Sequence, residues 1–223
     1  MFFKDSYFCI SYELLKNPEK KLTTRDFNNY KRADVVDFIR FLILENIVRR
    51  DIHFGRESFS ILKNPEKLLN LCIDGFKNSE RKSFLFTSNR NYHEILSDLK
   101  RKNVEFYLGR FSGIRPNLQY AYDNMLTLLI PNKKYFEGYD LRELEYDLGV
   151  SKVRIGGNIL LVLPRYKKFL RQYFLNSGEY KIPSDFYTFL SMTTMNNPLG
   201  KPQAENIIKK IKGKDANFLS WKK

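Results

Sequence analysis

Between Arg32 and Leu62 the hydrophobic period changes once, and that change limits what the chain can fold into. Val35, Val36, Ile39, Leu42 and Ile43 recur three and four residues apart, the stripe of an amphipathic helix from about Arg32 to Leu44. Ile47-Val48-Arg49-Arg50-Asp51-Ile52 and Glu57-Ser58-Phe59-Ser60-Ile61-Leu62 then read as two short strands joined at His53-Phe54-Gly55-Arg56. Helical patterns flank this unit. Phe8, Tyr12 and Leu15 predict a helix over Ser6–Lys16, stopped by Asn17-Pro18. Leu22 to Phe27 predicts a second, short helix with Thr23 or Thr24 as N-cap and Asp26 in its first turn. Asn64-Pro65 opens another, Glu66–Phe76.

Helix, short helix, helix and a hairpin with a basic tip is the order of a winged helix-turn-helix domain. Such domains place the third helix in the DNA major groove. The residues expected to face outward are Thr24, Arg25, Asn28, Asn29, Lys31, Arg32, Asp34, Asp37 and Arg40. Arg49, Arg50 and Arg56 lie on the hairpin, where a wing meets phosphates. Asp34 and Asp37 oppose this reading by repelling phosphate, and winged helices also serve as protein-interaction modules.

Residues 77–82 are polar and suggest a boundary, giving a winged-helix domain over 1–78 and a mixed α/β domain over 79–223. The overall class expected is α+β. In the second part, strands are predicted at Ser83–Thr87, Val104–Leu108 and Met125–Ile130. Helices are predicted at Tyr92–Lys102, around Pro116–Tyr122, and at Leu141–Leu148. Ser151–Ile155 and Asn158–Leu163 are expected to pair as a hairpin around Gly156-Gly157. Helices follow at Arg165–Phe174, from Ser184, and at Gln203–Ile211.

The chain of 223 residues carries a net charge of +14, and the excess is concentrated after residue 80. No acid occurs between Asp147 and Glu179, where Lys152, Arg154, Arg165, Lys167, Lys168 and Arg171 lie; a second basic run is Lys209, Lys210, Lys212 and Lys214. This asymmetry suggests an anionic partner, usually nucleic acid. Aromatics at 15% argue against disorder. The longest apolar stretch, Ile155–Leu163, is too short to span a membrane, and the N-terminus lacks a signal-peptide pattern. Cys9 and Cys72 cannot build a disulfide framework, so a reduced, cytoplasmic setting is expected.

The residues offer little catalytic chemistry. His53 and His93 lack metal-spaced partners, and no Gly-rich phosphate loop occurs. Glu143, Glu145 and Asp147 alternate on a predicted helix and cannot share one face. No enzyme activity, metal or cofactor is expected. Three alternatives to duplex DNA binding stay open. One is an RNA- or single-strand-binding module centred on residues 150–175, where Tyr166 and Phe169 lie among cations. Another is a metal-dependent nuclease using Asp98, Glu105 or Asp147. The third is a protein-binding adaptor.

Gly157-Asn158-Ile159-Leu160-Leu161-Val162-Leu163-Pro164, Ile182-Pro183-Ser184-Asp185-Phe186-Tyr187-Thr188-Phe189-Leu190 and the stretch Asn197–Ile208 resemble the C-terminal domain of the AbiEi-like antitoxin family. These are antitoxin and transcriptional-regulator proteins of type IV abortive-infection systems. Leu199-Gly200 stands where that family often has Arg-Gly. The resemblance implies a repressor that binds its own promoter through the winged helix. It also implies a nucleotidyltransferase-like toxin as partner and no catalytic residues in this chain. The oligomeric state is left open.

Overall fold

The computed structural model describes residues 3–53, 56–77, 79–110, 112 and 125–194; for 51–53, 56–61, 80 and 81 it describes the backbone. The fold is mixed α and β and divides into two compact units. The first runs to Lys77 and resumes at Asp185; the second is Asn78–Ser184.

The first unit is built on α1 (Asp5–Lys16), which buries Phe8, Cys9, Ile10, Leu14 and Leu15 completely. A helix apolar on nearly every side must be surrounded. Here α2 (Arg32–Leu44) stacks Phe38 on Tyr7 at 4.3 Å, and α3 (Pro65–Phe76) sets Phe76 edge-on to Phe8 at 5.5 Å. Between α1 and α2 lies a single 3-10 turn, Thr24–Phe27, with Phe27 buried. After α2, strands β1 (Val48–His53) and β2 (Arg56–Leu62) pair antiparallel. The Asn64 side chain accepts from the Lys67 N–H at 2.9 Å and caps α3, with Pro65 at its start.

The sequence assigned everything after residue 78 to the second domain. In the structure the helix Asp185–Thr193 belongs to the first unit. It carries Phe186, Tyr187, Phe189, Leu190 and Met192 buried. Phe186 stacks on Tyr12 at 5.6 Å, and Tyr187 meets the edge of Phe76 at 5.0 Å. Burial of these large side chains, at about 25 cal/mol per Å² of apolar surface, supplies the reason for the return.

The second unit is a five-stranded sheet of β3 (Glu80–Thr87), β4 (Tyr107–Leu108), β5 (Leu126–Leu129), β6 (Ser151–Val153) and β7 (Ile159–Pro164). Its order is β4-β5-β7-β3-β6, antiparallel except for the β5–β7 pair. The near-continuous burial of β7 fits a strand covered on both faces. α4 (Tyr92–Arg101) and α5 (Gly138–Leu148) bury Ile95, Leu96, Leu99, Leu144 and Leu148 in the same core as Phe86, Leu128, Ile159 and Leu161.

The hairpin expected around Gly156-Gly157 does not form. β6 and β7 lie on opposite sides of β3, and each pairs with it antiparallel. Residues 154–158 carry the chain from one side of β3 to the other. The crossing is close: a Cβ on Gly157 would lie 2.5 Å from the Leu85 side chain and 2.5 Å from the Phe86 carbonyl oxygen. Gly157 marks a tight backbone approach, and Gly156, at φ +75° with open space around it, bends the chain into it rather than forming a two-residue hairpin turn.

The expected helix over Arg165–Phe174 is shorter, α6 (Lys167–Gln172). It leads into a hairpin that the sequence reading lacked, β8 (Phe174–Ser177) with β9 (Tyr180–Pro183). Gly178, at φ +59°, turns it. The helix Asp185–Thr193 is then α7. The helices expected around 116–122 and 203–211, the motif 197–208 and the lysines 209–214 lie outside the described residues.

Candidate nucleic-acid interface

The turn before α2 gathers most of the outward residues named from the sequence. The Asp26 carboxylate accepts from the Thr23 N–H at 2.6 Å and from its hydroxyl at 2.9 Å, which fixes the start of the 3-10 turn. Arg25, Asn28, Asn29, Lys31 and Arg32 are exposed and Thr24 is half-buried. Thr24, Arg25, Phe27, Asn28, Tyr30 and Arg32 line one surface pocket of about 310 Å³. Tyr30, which the sequence gave no reason to single out, forms a wall of it. Its hydroxyl lies 2.7 Å from the buried Cys9 thiol, and burial pushes both groups well above their ordinary pKa values. The phenol therefore stays neutral and anchors the wall.

Along α2 the exposed positions Ala33, Asp37, Arg40 and Leu44 share one face, while Val35, Phe38, Ile39 and Leu42 are buried. The two acids that oppose phosphate binding are not equivalent. Lys4 pairs with Asp34 at 2.5 Å, which neutralises that acid and raises the lysine's pKa. Lys4 is thirty positions upstream, too far for spacing rules to connect. Asp37 stays exposed among the outward residues.

On the hairpin, Arg49 and Arg50 are both exposed. Successive strand residues point to opposite faces, so the two address different sides of the ribbon. Arg56 opens β2, and its side chain lies outside the described residues.

The cations of the second unit do not form one patch. Strand register sets Lys152 opposite Phe86, whereas Pro164, next to Arg165, stands opposite Glu80. Six residues of β3 separate these points, about 20 Å at ~3.3 Å per residue. The Lys152 ammonium sits 3.8 Å from the centre of the Phe84 ring. Arg171 grips Glu105 with Nε at 2.9 Å and Nη2 at 2.5 Å. That pairing holds the Glu105 carboxyl below its ordinary pKa. Arg154, Arg165 and Lys168 are exposed, and Lys167 is half-buried.

The acids weighed as nuclease ligands are each engaged by a cation of the same unit. Asp98 accepts from Arg90 at 2.8 Å and pairs with Arg101 at 2.9 Å. Glu105 holds Arg171, and Asp147 pairs with Lys102. Arg90 also donates to the Leu148 carbonyl at 3.1 Å, which ties α4 to the end of α5. Among the described residues no three His, Cys, Asp or Glu side chains are grouped so as to hold a metal ion, and no helix is long and apolar enough to cross a membrane.

Comparison with protein-family models, curated proteins and solved structures finds no match to this chain.

Proposed function

We propose that the first unit binds duplex DNA as a winged-helix module and that the chain is a transcriptional regulator of the antitoxin type. One observation carries the reading. Arg25, Asn28 and Arg32 line a single pocket at the start of α2, with Lys31 exposed beside it. A helix N-terminus carries partial positive charge and unpaired N–H groups, so cations gathered there suit a backbone phosphate. From that anchor α2 presents Arg40 toward a groove, and Arg49 or Arg50 of the hairpin reaches phosphates to one side. Neutralisation of Asp34 by Lys4 removes one of the two charges that oppose this docking. The finer reading rests on the resemblance of residues 157–164 and 182–190: a repressor of its own promoter, acting beside a nucleotidyltransferase-like toxin.

The test is titration of the full chain against labelled duplex at several salt concentrations, including the region upstream of its own gene. The triple variant Arg25→Ala, Lys31→Ala, Arg32→Ala should bind about tenfold to a hundredfold more weakly. Its log-affinity against log-salt slope should be shallower by about three, one for each lost phosphate contact. Wild-type affinity and slope in that variant would remove the first unit from the reading.

A further inference from the structure

We propose that Cys9 is a positioning residue for the cationic pocket at the start of α2: acting through Tyr30, it holds Arg25 and Arg32 together before any anion arrives. The inference rests on the reading of that pocket as a phosphate anchor and adds what assembles it. Arg25, Lys31 and Arg32 are exposed cations within one short stretch, and none has an ion-pair partner among the described residues. The one acid of that stretch, Asp26, is turned to Thr23. Like charges held this close repel, so a fold that gathers them needs a tether on each side. On one side Phe27 is buried, which fixes the 3-10 turn carrying Arg25. On the other, residues 28–31 belong to neither helix and lead into Arg32. Tyr30 is the one residue of this bend that is not fully exposed, and its hydroxyl lies 2.7 Å from the Cys9 sulfur.

Cys9 suits this role and no reactive one. It is fully buried in α1 between Phe8 and Ile10, so its place is set by the core. Burial pushes the thiol and the phenol well above their ordinary pKa values, so both stay neutral and the thiol is a poor nucleophile. Their contact is an uncharged hydrogen bond in which either group can donate. It ties the bend to a helix 21 positions upstream. A bend tied in this way keeps both guanidiniums on one pocket, so that binding a phosphate orders less of the chain. Cys9 supplies this preorganisation without meeting the ligand. Loss of the tie should therefore weaken affinity while the number of phosphate contacts, and with it the salt slope, stays the same.

Hydrogen exchange of the full chain without DNA tests the tether, and duplex titration at several salt concentrations tests its use. Cys9→Ala removes the thiol; Tyr30→Phe removes the hydroxyl and leaves the core of α1 intact. In each variant the backbone amides of residues 28–32 should exchange several-fold faster than in the wild type, while those of β7 keep their rates. Duplex affinity should fall about threefold to tenfold. The double variant should bind no more weakly than either single one, because both changes remove the same bond. Cys9→Ser keeps a donor and an acceptor at that place and should bind like the wild type. In the background Arg25→Ala, Lys31→Ala, Arg32→Ala, Tyr30→Phe should leave the residual affinity unchanged. Wild-type exchange at residues 28–32 in both variants overturns the proposal, whatever the chain binds. So does faster exchange with wild-type affinity. A loss of affinity that persists without the three cations also overturns it, since that marks general destabilisation. A wild type that binds no duplex removes the DNA reading, and the exchange arm then decides the tether by itself.

Discussion

Arg32 and Arg171 are both exposed arginines on helices of a basic chain, yet their surroundings differ. Arg32 lines a pocket with Arg25 and Asn28 and has no ion-pair partner among the described residues. Arg171 is clamped to Glu105 by donors on two of its nitrogens. The same contrast runs through the two units. In the first, cations gather at one turn. In the second, the acid-free stretch 148–178 is divided between two ends of a sheet, with Lys152 over an aromatic ring and Arg171 in a salt bridge. Charge density along a sequence is therefore a poor guide to charge density in space. A surface cation serves a partner to the extent that its own fold leaves it unspent.

Duplex affinity should break or confirm the contrast most sharply. Where the Arg25/Lys31/Arg32 variant loses about tenfold to a hundredfold, Lys152→Ala with Arg171→Ala should change affinity less than about threefold and leave the salt slope intact. Equal losses in the two variants would abolish the distinction between the units.

Gly157→Ala sharpens it from the side of folding. The added methyl meets the Leu85 side chain and the Phe86 carbonyl, so thermal unfolding should show a loss of about 1–3 kcal/mol. A wild-type melting temperature would mean that the crossing over β3 is looser than described.

Arg171→Ala should cost about 1 kcal/mol or less at pH 7, because the pair is partly exposed. The sign with pH is fixed. The folded Glu105 pKa lies below its ordinary 4.5, so the pair stabilises the folded state above that value. That stability is lost as the pH falls through the lower, folded pKa. Chemical denaturation of wild type and variant should therefore converge in acid. A gap that widens in acid would contradict the assignment of Glu105 as the partner.

The smallest effect is expected from Asp37→Asn, which removes the exposed acid from the outward face of α2. Duplex affinity should rise a few-fold, about 0.5–1 kcal/mol. A fall would place Asp37 in a productive contact instead.

Much of the local structure was legible. The stripe Val35–Ile43 predicted α2 with the bounds Arg32–Leu44 that it has. Thr23 or Thr24 with Asp26 marked the start of the short turn, and the structure selects Thr23. Three helices end on a residue with positive φ followed by a buried apolar one: Asn46 before Ile47, Asn103 before Val104, and Gly149 before Val150. In each, that apolar N–H donates back to the carbonyl five residues earlier. These signals act over a few residues, so the chain declares them by itself. The candidate pocket was legible as an outward turn, but not Tyr30 as its wall, because the Cys9 contact joins α1 to a bend 21 residues further along the chain.

Taken alone, the sequence determined the α+β class, the position of most described helices and strands though not the β8–β9 hairpin, and the basic turn at residues 24–32. Tertiary structure decided which strand lies between β6 and β7. It also returned α7 to the first unit and set apart the cations that are spent from those that are not. The physical reason is range. Periodicity, caps and turns are local energies that a segment carries with it. Strand order, aromatic packing of Phe186 and Tyr187, and the Glu105–Arg171 clasp are contacts between distant segments, and these exist only once the chain has closed its loops.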